Sequence, residues 1–141
     1  MDFESSVPEP DNYRKVFDYN TEFTNKSDKT KMELHLDQQS PDFLYIGCSD
    51  SRVPPNLFTG MEIGEMFVHR NIANIVSRYD HNIMSAIQYS VETLKVKHIA
   101  ICGHYGCGGV KASMEDNLVG DLGKWVRAIK TVQNINYKEL N

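Results

Sequence analysis

The chain has 141 residues, 40% of them hydrophobic and 24% charged, with a formal net charge of −4. That is enough for one small domain with a modest core, and the acidic balance argues against a nucleic-acid partner. No basic run suited to phosphate or anionic lipid occurs and no apolar stretch is long enough to cross a bilayer, so the expected ligand is a small molecule and membrane insertion is not expected.

The amino-terminal "MDFESSVPEPD" is acidic and contains proline, unlike a targeting leader, so a cytoplasmic location is expected. Three cysteines are an odd number, and in a reducing compartment they read as thiols or metal ligands before disulfides. Residues 1–11 are expected to be disordered, and residues 12–141 to form a single α/β domain with an N-terminal helical arm. In the arm, "NYRKVFDYNTEF" places Tyr13, Val16, Phe17, Tyr19, Asn20 and Phe23 near helical spacing, which predicts a helix over 12–23. After the polar "TNKSDKTK" a short helix is expected over 30–36, stopped by the proline of "QQSP". Strands are expected at 42–48, 65–71 ("EMFVHRN") and 98–104 ("HIAICGH"). Between the last two, residues 80–95 carry Ile83, Ile87, Val91 and Leu94 on one side of a helix. Strands alternating with helices predict a parallel sheet flanked by helices.

In such sheets ligands collect at the carboxyl ends of strands, where strand order reverses. "CSDSRVP" (48–54) lies at one such end and sets Cys48, Asp50 and Arg52 at alternate positions, which share a face if the extension persists. "GHYGCGG" lies at another and sets His104 and Cys107 three apart, among glycines that permit close backbone approach. Together Cys48, His104 and Cys107 make a Cys₂His set, the three-ligand pattern of catalytic zinc, and soft thiolate with imidazole favours zinc over magnesium or calcium. By residue type alone the same three fit buried thiols and a hydrogen-bonded ring, and Asp50 with Arg52 fits a surface ion pair. Position at strand ends favours the metal. Cys102 reads as core, and His35, His81 and His98 lack a partner motif.

"YIGCSDSRVPPNLFTGMEIGEMFVHRNIANIV", followed by "QYSVETLKVKHIAICGHYGCGGVKASM", resembles the β-class carbonic anhydrases from about Gln39 to Met114, more weakly to about Val132. The resemblance rests on CxDxR at 48–52, "HRNIAN" at 69–74 and HxxC at 104–107, in family order. It implies zinc as cofactor on Cys48, His104 and Cys107, with Asp50 and Arg52 as a catalytic dyad in which Asp50 is also able to coordinate the metal. It implies too that Gln39, Phe67 and Tyr89 line the substrate pocket. The implied reaction is reversible hydration of carbon dioxide to bicarbonate and a proton. The alternatives are a zinc-binding structural or interaction subunit without turnover, and hydrolysis of carbonyl sulfide or carbon disulfide. Members regulated by bicarbonate carry tryptophan where this chain has Tyr45, so that regulation is not expected, although Arg70 is in place. Members continue past the segment like "LGKWVRAIKTV" with a helix, a further strand and terminal elements that are not found here. Hence "HIAIC", apolar at consecutive positions as in a strand covered on both faces, is expected here at a sheet edge with the helix over one face missing, in a homo-oligomer or beside a complementing chain.

Overall fold

The computed structural model describes residues 10–27 and 37–140. The chain divides into two compact units, residues 1–38 and 39–141. In the first, α1 spans Pro10–Lys26, so it begins inside the segment expected to be disordered and runs one turn past Phe23. Residues 1–9 and the helix expected over 30–36 lie outside the described residues.

The second unit is the expected α/β fold. Its elements are β1 (Phe43–Cys48), α2 (Pro55–Thr59), β2 (Met66–Asn71), α3 (His81–Gln88), β3 (His98–Cys102), α4 (Gly108–Ser113), α5 (Gly120–Ile135) and α6 (Tyr137–Leu140). The sheet has the order β2-β1-β3, all parallel, with Leu44 opposite Phe67 and Ile99, and Cys48 opposite Asn71. β1 therefore lies at the centre, and the crossovers leave it on opposite sides. That reversal opens a crevice at the carboxyl ends of β1 and β3.

β1 is apolar along its length because both faces are covered. Leu44 and Ile46 are buried with Ile83 of α3, and Phe67, Ile87 and Val96 pack around them. On the other face Tyr45 is buried edge-on to Phe58 of α2, with ring centroids 6.3 Å apart. Asp80 caps α3 by accepting from the Asn82 amide at 3.0 Å.

Val91 does not join Ile83 and Ile87 as the helical spacing predicts; it is exposed, and Ser90 is fully buried instead. The cause is a π-turn over Tyr89–Thr93, closed by the Leu94 amide on the Tyr89 carbonyl at 3.0 Å. Wider winding rotates every later side chain away from a 3.6-residue stripe. It also leaves Tyr89 against Phe67, with ring centroids 5.8 Å apart.

β3 ends at Cys102 rather than at His104, and it is an edge strand with one face uncovered, as expected. Ile99 and Ile101 are 48% and 59% exposed, because α3 packs over β1 and Phe67 and no described element covers this end of the same face.

Gly47 is the one strand position where a side chain has no room. A Cβ there would lie 2.3 Å from Cε1 and 2.4 Å from Oη of Tyr45, whose ring is buried against Phe58. Burial, then the Cys102 contact, pushes the Tyr45 phenol up to about 12, so it stays a neutral donor. Gly47→Ala is expected to cost about 1–3 kcal/mol of stability, the usual range for overpacking. Urea unfolding monitors it, and an unchanged midpoint would show that the ring moves freely.

Candidate metal centre

Cys48 closes β1, and Cys107 immediately precedes α4. Both are buried, at 5% and 7% exposure, and both are free thiols. Their sulfurs stand 3.8 Å apart, too far for a disulfide. Two sulfurs each ~2.3 Å from a tetrahedral zinc would stand about 3.8 Å apart. A ring nitrogen of His104 completes the group: the three donor atoms lie within 4.8 Å of one another.

The histidine is oriented as a metal requires. Nδ1 is 3.1 Å from the Tyr105 carbonyl, which can only accept, so Nδ1 donates there and Nε2 is the nitrogen left to bind a metal. Nε2 is buried and has no hydrogen-bond partner. It stands 3.9 Å from Oδ2 of Asp50, which places the carboxylate beside the donor cluster. A buried orphan nitrogen facing two buried thiols fits a zinc site.

Asp50 and Arg52 meet, but not through continued extension. The chain turns after Asp50, with the Val53 amide on the Asp50 carbonyl at 3.2 Å. In an Asx-type turn, Oδ1 of Asp50 accepts from the Arg52 amide at 2.9 Å. The guanidinium then folds back as a fork: Nε donates to Oδ1 at 2.9 Å and Nη2 to Oδ2 at 2.6 Å. Nη2 also reaches the Gly106 carbonyl at 3.2 Å, tying this loop to the one that bears Cys107. The Arg52 side-chain and amide hydrogen bonds hold the Asp50 carboxyl well below the usual carboxylate range, and the same contact raises the Arg52 guanidinium. Burial pushes the Cys48 thiol up, yet the Asp50 amide, the His104 ring, the Ala73 amide and the Cys107 thiol together bring it below its ordinary value.

This geometry and the comparisons with known proteins agree. A family model described as "Carbonic anhydrase" matches residues 43–141. The chain belongs to the β-carbonic anhydrase family. A carbonic anhydrase of Emericella nidulans is 55% identical over 103 residues, covering 73% of this chain and 45% of the relative. The chain thus spans about half the length of that curated relative. Among solved structures, a tetrameric β-carbonic anhydrase from Sordaria macrospora is 40% identical with a TM-score of 0.81, over 92% of this chain and 68% of that one. A Coccomyxa β-carbonic anhydrase in complex with acetazolamide is 37% identical with a TM-score of 0.85, over 90% and 60%.

Of the residues named from the family pattern, the structure brings Cys48, His104 and Cys107 together and sets Asp50 with Arg52 beside them. Phe67 and Tyr89 meet each other elsewhere, Phe67 packing on the Leu44–Ile46–Ile83 cluster while both thiols belong to a second cluster with Ala73 and Ile75. Gln39 is exposed, four residues before β1. Of the β-carbonic anhydrase motif "HRNIAN", Arg70 contributes most directly: it donates to the carbonyls of Cys48 (2.8 Å), Asp50 (2.6 Å) and Val53 (3.2 Å). Sequence reasoning noted its presence and not this task; an arginine on the strand next to a metal-site loop was the available signal. Gly109 shows why the glycines after His104 matter, for a Cβ there would lie 2.7 Å from Cγ2 of Ile72 and 2.9 Å from Cβ of Ala73.

Cys107→Ser is expected to abolish stoichiometric zinc binding, whereas Cys102→Ser, outside the donor group, should retain it. Metal analysis of the purified variants decides; full zinc in Cys107→Ser would refute the donor set.

Proposed function

We propose that this chain is a zinc-dependent carbonic anhydrase that interconverts carbon dioxide and water with bicarbonate and a proton. The observation that carries the reading is the Cys48–His104–Cys107 donor group with an arginine-held carboxylate at its side. A zinc ion held there supplies the Lewis acidity that lets water lose a proton near pH ~7 in favourable sites. Asp50, ionised and acceptor-only, takes a hydrogen bond from the attacking oxygen and so turns that oxygen's lone pair toward the carbon of the substrate. Arg52 occupies both Asp50 oxygens and keeps the carboxylate from becoming a fourth ligand. The first proton of water leaves to solvent, and the second stays on the bicarbonate formed. The intact dyad favours this reading over a zinc-binding subunit without turnover. Competition by carbonyl sulfide or carbon disulfide in the hydration assay separates the remaining alternative. Three free thiols support a reducing, cytoplasmic setting.

The sign of the pH dependence follows from Asp50. A carboxyl depressed by its partner is ionised above its ordinary value of ~3.9 and loses that contribution only as pH falls through the still lower folded value. Asp50 therefore keeps its charge from mildly acidic to alkaline pH, and loss of turnover on acidification belongs to reprotonation of the attacking water. Arg52→Ala is expected to lower kcat about 10- to 100-fold, the usual cost of losing a partner that orients a metal-site group. Stopped-flow hydration with zinc content measured alongside tests this. Unchanged turnover in Arg52→Ala across that pH range would remove the dyad from the mechanism.

The pocket is proposed to be shared between copies. Phe67 pairs with Leu44, and four residues at ~3.3 Å each separate that level of the sheet from Cys48. Gln39 and Phe67 thus belong to the amino ends of the strands and the thiols to the carboxyl ends, so pocket walls made by Gln39, Phe67 and Tyr89 require a second chain. The exposed apolar Ile99 and Ile101 support the same assembly, as does the tetrameric state of the Sordaria macrospora relative. Sedimentation is expected to find oligomers at micromolar concentration, with activity lost on dilution to monomer. A stable, fully active monomer would overturn shared pockets.

A further inference from the structure

The chain has one tryptophan, and it lies on α5, outside every loop of the metal centre, yet it packs on the cluster that contains both thiols. We propose that Trp125 is a positioning residue that presets the spacing of Cys48 and Cys107, so that the donor group stands ready before a metal arrives. The inference rests on the metal reading and deepens it by naming a distant residue on which metal affinity depends.

The link between Trp125 and the thiols is the corner that follows β2. Asn71 ends β2 opposite Cys48, and its carbonyl accepts from the Ser49 amide at 2.9 Å, which ties the chain just after the first thiol to the start of the corner. The Asn71 side chain closes the corner on itself: it accepts from the Ile75 amide at 2.7 Å and donates to the Ile75 carbonyl at 2.8 Å. Inside, Ala73 (φ 63°) and Asn74 (φ 44°) are left-handed although neither is glycine. Such conformations persist only where the surroundings over-determine them. The corner also meets the helix that follows the second thiol. A Cβ on Gly109, two residues after Cys107, would lie 2.7 Å from Cγ2 of Ile72 and 2.9 Å from Cβ of Ala73, so α4 sits flush against the corner. One corner therefore touches both thiol-bearing segments, and its Ala73 and Ile75 share a buried cluster with Cys48 and Cys107, whose sulfurs stand 3.8 Å apart.

Trp125 fixes that corner by hydrogen bond and by packing. Its Nε1 donates to the Ile72 carbonyl at 2.8 Å, immediately before the two left-handed residues, and with Ile129 its ring packs on the cluster of Cys48, Ala73, Ile75 and Cys107. Without that donor the strained residues are free to relax, and the corner no longer holds the two segments at one separation. A donor group already at metal spacing gives up little ordering entropy on binding, whereas one that must assemble around the ion binds it more weakly.

Two measurements on the full chain test this. The single indole N–H is resolved by NMR, and in the metal-free protein it is expected to be protected from solvent exchange and to shift little when zinc is added. Rapid exchange that slows only on metal addition overturns the presetting. The second measurement is cobalt affinity, by chelator competition with visible absorption reading the occupied site. Trp125→Phe keeps most of the packing and drops the indole donor, and is expected to lower affinity about 10- to 100-fold at unchanged stoichiometry. Ile83→Val, in the cluster that holds neither thiol, is the control for general loss of stability and should leave affinity unchanged. Undiminished affinity in Trp125→Phe, or an equal loss in both variants, overturns the positioning role. If Trp125→Phe does not fold, the exchange measurement on the unmutated protein decides by itself. An unmutated protein that takes up neither zinc nor cobalt refutes the metal centre, and the proposal with it.

Discussion

The grip of Arg70 on three carbonyls is the constraint on which the site depends. A chain leaving the central strand of a parallel sheet abandons its ladder, and its carbonyls need new partners. Arg70 supplies them for Cys48, Asp50 and Val53 at once, from the neighbouring strand, where it stands opposite Gly47. The loop is thereby held in the one shape that keeps Cys48 facing Cys107 and lets Asp50 form its Asx-type turn with Arg52. Gly47 fits the same logic, since its missing side chain leaves room for the Tyr45 ring beneath the loop.

Charge is arranged as carefully as shape. Two thiolates and a carboxylate, as a bound metal would require, repel one another, and the carboxylate is answered by its own partner. Asp50 is bound by a fork of guanidinium donors, and His104 is oriented by its Nδ1 contact with the Tyr105 carbonyl. Because the guanidinium of Arg52 also reaches the Gly106 carbonyl, the carboxylate and the second thiol loop move together. The fork occupies both Asp50 oxygens and fixes the carboxylate beside the donor group.

The aromatic pair Phe67–Tyr89 stands apart from this centre because of the sheet itself. Parallel strands place residues of like register at the same height, so Phe67 sits with Leu44 and the donor thiol with Asn71. The π-turn at Tyr89 reinforces the separation by aiming that ring at Phe67. One chain thus carries the donor group at one end of its sheet and the Phe67–Tyr89 pair at the other, which is the geometric ground for proposing a shared pocket.

The sequence by itself determined the sheet class, the place of the strands, and the donor set. Apolar runs between turn residues mark parallel strands, and "CSDSR" and "GHYGC" carry candidate metal ligands and a charge pair at short spacing, where local backbone geometry decides what meets. Local pattern also misled where winding changed: the π-turn replaced Val91 with Ser90 in the core, and the turn after Asp50 joined it to Arg52 by folding back instead of by alternation. Only tertiary structure decided that Trp125 holds the Ile72 carbonyl across 53 residues, that Arg70 gathers the carbonyls of Cys48, Asp50 and Val53, and that Phe67 lies a strand's length from the thiols. Periodicity states which face a residue occupies, whereas these contacts depend on register between strands and on the approach of helices distant along the chain, and neither is written in the spacing of neighbouring residues.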